Sequence, residues 1–145
     1  MNRKGYSLHI GLNGVDASRY DNWDGKLFAC ENDATVYKTI AEQSGFSNID
    51  MLLTKKATSA NVLKTIKKAA AELTAGDIFL ISYSGHGGTV EDENGDEDDL
   101  QDETWCLHDR QLIDDELFEA FSAFDADVRI LMFSDSCHSG TVARF

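Results

Sequence analysis

An α/β fold built on a mainly parallel sheet is predicted by three features of this 145-residue chain. Short apolar runs with strand character fall at about 6–13, 48–54, 77–83 and 127–134. Segments with apolar residues spaced by three and four, the repeat of a half-buried helix, lie between them. No internal repeat or Pro-rich linker interrupts the alternation, and Pro is absent altogether. Strands alternating with helices imply right-handed crossovers, which place helices on both faces of the sheet. The prediction is a three-layer sandwich of at least four strands, formed by one domain, 1–145, long enough to bury roughly 70% of its unfolded surface.

Taken in order, Tyr6-Ser7-Leu8-His9-Ile10 alternates into the first strand. A helix begins near Asn32 or Asp33, carries Ala34, Tyr37, Ile40 and Ala41 on one face, and stops at Gly45. A second helix is opened by Thr58 or Ser59, presents Val62, Ile66, Ala69 and Leu73, and is closed by Gly76. The runs 78–81 and 130–133 are nearly continuous in apolar residues, the pattern of parallel strands covered on both faces. A third helix over about 114–124 presents Leu117, Phe118, Phe121 and Phe124. One stretch breaks the rhythm. From 91 to 103 there are nine carboxylates in thirteen residues, and the segment 89–110 reads as an acidic surface loop. Asp92, Asn94, Asp96 and Glu103 imitate an EF-hand loop, but Gly95 stands at position 4 instead of 6, and that reading fails.

Net charge is −13, which excludes nucleic acid and anionic membrane as natural partners and favours a cationic ligand or a divalent cation. No apolar run approaches the roughly 20 residues that span a bilayer. The first thirteen residues lack the apolar core and cleavage site of a signal peptide. Cys30, Cys106 and Cys137 are an odd set without metal-ligand pair spacing, as suits a reduced, cytoplasmic setting.

Two segments carry chemistry. Ser82-Tyr83-Ser84-Gly85-His86-Gly87-Gly88 follows the run 78–81, and Ser134-Asp135-Ser136-Cys137-His138-Ser139-Gly140 follows the run 130–133. In open α/β sheets, ligands bind at the carboxyl ends of the strands, so His86 and Cys137 are delivered to one rim. A thiol nucleophile requires such a proton-transfer partner, since the thiolate is the reactive form. Glycines around His86 let a substrate backbone approach and leave the Gly87 N–H to act, with the N–H of Cys137, as an oxyanion donor. A lone Cys is more often a small buried hydrophobe and a lone His a satisfied core residue; the paired polar, Gly-rich settings reverse that reading. His138 competes with His86, but neighbouring turn residues point apart. His9 and His108 read as structural.

These two motifs, in this order and 51 residues apart from His to Cys, resemble the caspase-fold cysteine peptidases, and within them the metacaspases and their bacterial caspase-like relatives. Asp135-Ser136-Cys137 stands where caspases have Gln-Ala-Cys, and a His about 50 residues upstream of the Cys is the caspase interval. The resemblance covers the large catalytic subunit, nearly the whole chain. It implies a Cys–His dyad with no obligatory third member, an acyl-enzyme, and cleavage after Arg or Lys. It also implies an S1 pocket in which Asp33, Asp135, Ser84 and Cys30 (of Cys30-Glu31-Asn32-Asp33) take part, the two carboxylates clasping a guanidinium. Asp33 read on its own is equally a helix cap, Asp135 a turn acceptor and Ser84 a turn residue. Calcium as an activator, held by Asp102, Asp114 and Asp115, follows from the same resemblance, although Arg144 occupies the place of a further acid and Asp114 also suits a helix cap. The chain stops eight residues after Cys137, where the family carries a small second subunit. The implied partners are therefore a peptide substrate with Arg or Lys at the cut, the small subunit or C-terminal segment, and a regulatory partner, with no nucleic acid or membrane. A catalytically silent interaction module is the alternative. A metal-dependent hydrolase built on the acidic stretch lacks a ligand set. A nucleotide site at Gly11-Leu12-Asn13-Gly14 lacks the Gly spacing.

Overall fold

The computed structural model describes residues 3–91 and 101–137. Its elements run β1 (Gly5–Gly11), α1 (Cys30–Gln43), β2 (Asn48–Leu53), α2 (Ser59–Glu72), β3 (Ile78–Glu91), β4 (Gln101–Cys106), β5 (Gln111–Ile113), α3 (Asp114–Phe121) and β6 (Arg129–Cys137). Parallel pairing orders four strands β2-β1-β3-β6. The far half of β3 turns to antiparallel pairing with β4, which pairs β5. Among the described residues, six strands and three helices thus give the α/β sandwich that the alternating pattern predicts.

The pleat divides the sheet residues between two layers. Tyr6, Leu8, Ile10, Phe79, Ile81 and Tyr83 share one core with Val62 and Ile66 of α2, Leu117 of α3, and Phe124. Phe79 sits 5.0 Å from the Phe124 ring and 6.5 Å from that of Phe121. Alternate positions face α1. Gly11 is required there, because a Cβ would come within 2.8 Å of the Ala34 Cβ and collide with the Cys30 backbone. Thr58 caps α2 by accepting from the Asn61 N–H at 3.2 Å. Gly45 and Gly76, at φ +86° and +90°, supply the left-handed residues beyond α1 and α2.

Several boundaries differ from the sequence reading, each for a tertiary reason. α1 starts at Cys30, before Asn32 and Asp33. Its first turn is capped from a distance, with the Asn13 Oδ1 accepting from the Glu31 N–H at 3.1 Å. Asp33 is therefore inside the helix and is not its cap. β3 and β6 continue past Tyr83 and Ser134 through the polar, Gly-rich segments, because strand pairing outweighs the weak β propensity of those residues. The segment 89–110 is not simply a loop: β3 reaches Glu91, β4 lies within it, and β5 follows directly after it. The stretch 92–100 lies outside the described residues. The run 130–133 is not covered on both faces. Among the described residues β6 pairs only with β3, and Leu131, Met132 and Phe133 are 40–48% exposed.

His9 lies fully buried in β1, its Nδ1 2.8 Å from the Ser82 Oγ and its Nε2 3.0 Å from the Ser7 Oγ. Burial first, and then the nearby Lys38 charge, lower its pKa to about 4. Between pH 6.5 and 4 the unfolded chain takes up a proton that the folded chain resists, so stability is complete above pH 6.5 and drains as the pH falls. Between pH 7 and 5 this one group should cost about 2 kcal/mol of unfolding free energy. Urea unfolding at the two pH values should show that loss in the native protein and a smaller one in His9→Gln; equal slopes would remove the assignment.

Candidate active site

The β3–β6 ladder carries a continuous register from Ile78↔Arg129 to His86↔Cys137. Its last three pairs are Ser84↔Asp135, Gly85↔Ser136 and His86↔Cys137. The two residues singled out from the sequence are thus direct neighbours across adjacent strands, at the carboxyl ends of the parallel sheet.

His86 is half-buried and held from two sides. Its Nε2 lies 3.0 Å from the Gly25 carbonyl oxygen, and the Trp23 ring packs against the imidazole at 4.8 Å between centroids. A carbonyl oxygen can only accept, so Nε2 carries the proton, and Nδ1 is the lone-pair nitrogen of the neutral ring. Burial lowers the His86 pKa, while the Gly25 hydrogen bond opposes that shift. The loop between β1 and α1 presents this carbonyl in a fixed frame. Val15 N–H donates to the Asp24 carbonyl at 2.8 Å, Trp23 N–H to that of Tyr20 at 2.9 Å, and Leu27 N–H to that of Asn13 at 2.8 Å. Gly25 adopts φ +56°, where a side chain would be strained. Sequence reasoning missed Gly25 and Trp23, because a backbone acceptor leaves no residue-type signal.

Tyr83 holds the backbone of the His86 segment. Its hydroxyl donates to the His86 carbonyl at 2.6 Å, and its ring stacks on Trp105 at 4.4 Å and 5°. Complete burial pushes the Tyr83 pKa well up, so the phenol stays a neutral donor. A Cβ on Gly85 would stand 2.7 Å from the Tyr83 oxygen, which is why this position must be glycine. Trp105 Nε1–H donates in turn to the Ser134 Oγ at 3.0 Å and joins β4 to β6. Gly87 is buried and pairs with Trp105, one residue past the His86–Cys137 pair.

Asp33 and Ser84 are brought together: the Ser84 hydroxyl donates to the Asp33 Oδ2 at 2.9 Å. Asp135, the register partner of Ser84, is exposed on β6. Cys30 is buried at the start of α1, one turn before Asp33. The carboxylates assigned to calcium lie on two elements. Asp114 and Asp115 open α3, where acids stabilise the N-terminus of a helix. Ile113 occupies the cap position, not Asp114. Asp102 lies on β4, opposite Val90. Among the described residues no three His, Cys, Asp or Glu side chains gather as a metal site. His138 and Arg144 lie outside the described residues.

A parallel sheet that pairs a histidine and a cysteine at its carboxyl rim, with antiparallel strands grafted on the histidine strand, defines a caspase-like α/β protein. The comparisons narrow this: the model of the metacaspase, peptidase C14 domain matches residues 7–145, and the chain belongs to that family. It is 35% identical to Metacaspase-4 of Arabidopsis thaliana over 90% of this chain and 32% of that protein. It is 33% identical to Metacaspase-1A of Neurospora crassa over 94% of this chain and 32% of that protein. A crystal structure of a protein from Geobacter sulfurreducens superposes with a TM-score of 0.87 at 56% identity, covering 95% of this chain and 52% of the other. The chain thus spans about a third of the length of these curated relatives and about half of that structural neighbour.

The tautomer can be read directly. In a Cys137→Ala variant, which removes any thiolate from the measurement, long-range nitrogen–proton NMR should show the His86 proton on Nε2 and a titration midpoint below the ordinary 6.5. Trp23→Ala in the same background should raise the midpoint by exposing the ring. A proton found on Nδ1 would contradict the role given to Gly25.

Proposed function

We propose that this chain is the catalytic portion of a cysteine endopeptidase that cuts after Arg or Lys. The observation that supports this most directly is the register pair His86↔Cys137, together with an imidazole whose Nε2 is committed to the Gly25 carbonyl. In the proposed reaction, neutral His86 takes the Cys137 thiol proton as sulfur bonds to the scissile carbonyl carbon. The oxyanion of the tetrahedral intermediate is met by the N–H groups of Gly87 and Cys137. Collapse breaks the C–N bond, and His86 passes its proton to the departing amine. Water then attacks the thioester and gives a proton to His86; the C–S bond breaks, a carboxylic acid is released and the thiol is restored. No metal takes part in these steps, and calcium is proposed only as an activator acting elsewhere.

Specificity for a basic residue rests on two carboxylates beside the dyad. Asp33, oriented by the Ser84 hydroxyl, and Asp135, the neighbour of Ser84 on β6, would hold a guanidinium at the foot of the cleft. Cys30 fixes the start of α1 beneath them. A reducing, cytoplasmic setting suits a reactive thiol. The exposed Leu131, Met132 and Phe133 on β6 support a partner strand from a small subunit or C-terminal segment.

The test uses the full-length protein with peptides that carry one Arg. Cys137→Ala should abolish turnover, and His86→Ala should lower kcat/KM by about a thousandfold or more. Asp33→Asn and Asp135→Asn should each cost about thirtyfold or more on an Arg substrate, the usual loss when one partner of a buried charge pair is removed, with far less effect on a Gln analogue. Retained turnover in Cys137→Ala would remove the nucleophile assignment; no turnover by the native protein, with an active-site-directed Arg ketone failing to label it, would favour a silent interaction module.

A further inference from the structure

The strand order leaves His86 with Cys137 on one flank and the ends of β1 and β2 on the other. On that second flank lies a groove of about 850 Å³. Asp24 and Lys26, the sequence neighbours of Gly25, are among its lining residues, and the Gly25 carbonyl is bonded to His86. Lys26, Lys55, Lys56 and His108 line it, with Asp24 and Glu31. Both carboxylates are committed to the fold. Glu31 accepts from the Asn13 side-chain amide at 3.0 Å and the Thr54 hydroxyl at 3.3 Å, and Asp24 accepts from the Lys26 N–H at 3.2 Å. Among the described residues the lysines are not bound to a carboxylate: none lies within ion-pair distance of Lys26, Lys55 or Lys56. Lys26 Nζ lies 5.4 Å over the Phe28 ring.

The turn that carries two of these lysines is built in place. Thr54 adopts φ +38°, strained for a β-branched residue. Its hydroxyl also accepts from the Asn13 N–H at 3.0 Å, which ties the turn Thr54–Lys56 to the end of β1. The result is a groove with a net positive lining in a chain of net charge −13.

We propose that this groove receives the part of the substrate that follows the scissile bond and selects for Asp or Glu there. The inference rests on the peptidase reading. In that reaction His86 protonates the departing amine, so the segment that leaves begins at the imidazole. Cys137 and the acyl group occupy the β6 flank, and the departing segment takes the β1–β2 flank. There the ammonium groups of Lys26, Lys55 and Lys56 meet whatever charge that segment carries.

The experiment uses the full-length protein and quenched-fluorescence peptides with one Arg before the cut, followed by three positions of Glu, Gln or Lys. An Arg amide dye with nothing after the cut is run beside them. The native protein should cleave the Glu peptide with a kcat/KM about fivefold above the Gln peptide, as a few exposed charge pairs allow. The ratio should shrink in 0.5 M salt. Lys55→Glu with Lys56→Glu should invert the preference, and Lys55→Gln with Lys56→Gln should erase it. Lys64→Glu with Lys68→Glu, an equal change of charge on the exposed face of α2, should leave the ratio alone. A Glu-to-Gln ratio of one in the native protein, or one insensitive to salt and to Lys55 and Lys56, overturns the proposal while the dye is still cleaved. A dye left uncleaved by the native protein overturns the peptidase reading, and this inference with it.

Discussion

Strand β3 has to satisfy three neighbours along one length of chain, and the candidate site exists because it does. Residues up to Ser84 are paired with β1 on one side, those up to His86 with β6 on the other, and those from Gly87 onward with β4. The position of His86 is therefore set at a crossover between two ladders. A one-residue slip in the parallel ladder would move every β6 side chain to the opposite face. That slip is resisted by the layers on both sides of the sheet. Phe79 is locked among Phe121 and Phe124, and Phe133 of β6 stacks on Tyr37 of α1 at 6.0 Å. The pairing of His86 with Cys137 is thus enforced by apolar packing a turn or more away from the reacting groups.

The imidazole is oriented by a backbone carbonyl and an indole ring, where many thiol and serine hydrolases use a carboxylate. The difference has an electrostatic consequence. A carboxylate would stabilise the imidazolium and raise its pKa; a neutral carbonyl does so less, and burial against Trp23 works the other way. For His86 the balance is downward, with burial the larger cause. Under the proposed reaction, His86 then rests as a neutral base and does not form a standing ion pair with the thiolate. The proton moves when sulfur attacks. Such a ring also returns its proton readily to the departing amine, because the imidazolium is not over-stabilised.

Much of this was legible from residue order. The helices over α1, α2 and α3 and the strands β1, β2, β3 and β6 announce themselves through apolar spacing and through Gly45 and Gly76. Ser84, His86, Asp135 and Cys137 are marked by polar residues that break apolar runs at strand ends. The pattern hides features whose cause lies far along the chain. β4 begins within a segment dominated by carboxylates, and pairing with β3 on one side and β5 on the other keeps it a strand. The capping of α1 by Asn13, the carbonyl of Gly25 and the hydroxyl of Tyr83 act through backbone atoms or distant contacts, to which local periodicity is blind. The exposure of β6 was misread for a simpler reason: an apolar run reports that a strand is to be covered, and not which chain segment covers it.

The charges around the cleft make a further connection between fold and chemistry. Asp33 and Asp135 lie where α1 and β6 meet the end of β3, and Lys26, Lys55 and Lys56 lie around the ends of β1 and β2. His86 stands between the two sets. Burial is the dominant influence on the protonation of this imidazole, opposed by the Gly25 hydrogen bond. In the proposed reading, the two sets of charges would both favour a peptide with a basic residue before the cut and acidic residues after it. Under the two proposals, a strongly acidic chain would hold such a substrate in one direction. Orientation of the peptide and tuning of the imidazole become separable, the first set by side chains of the two flanks and the second by the loop that carries Trp23 and Gly25.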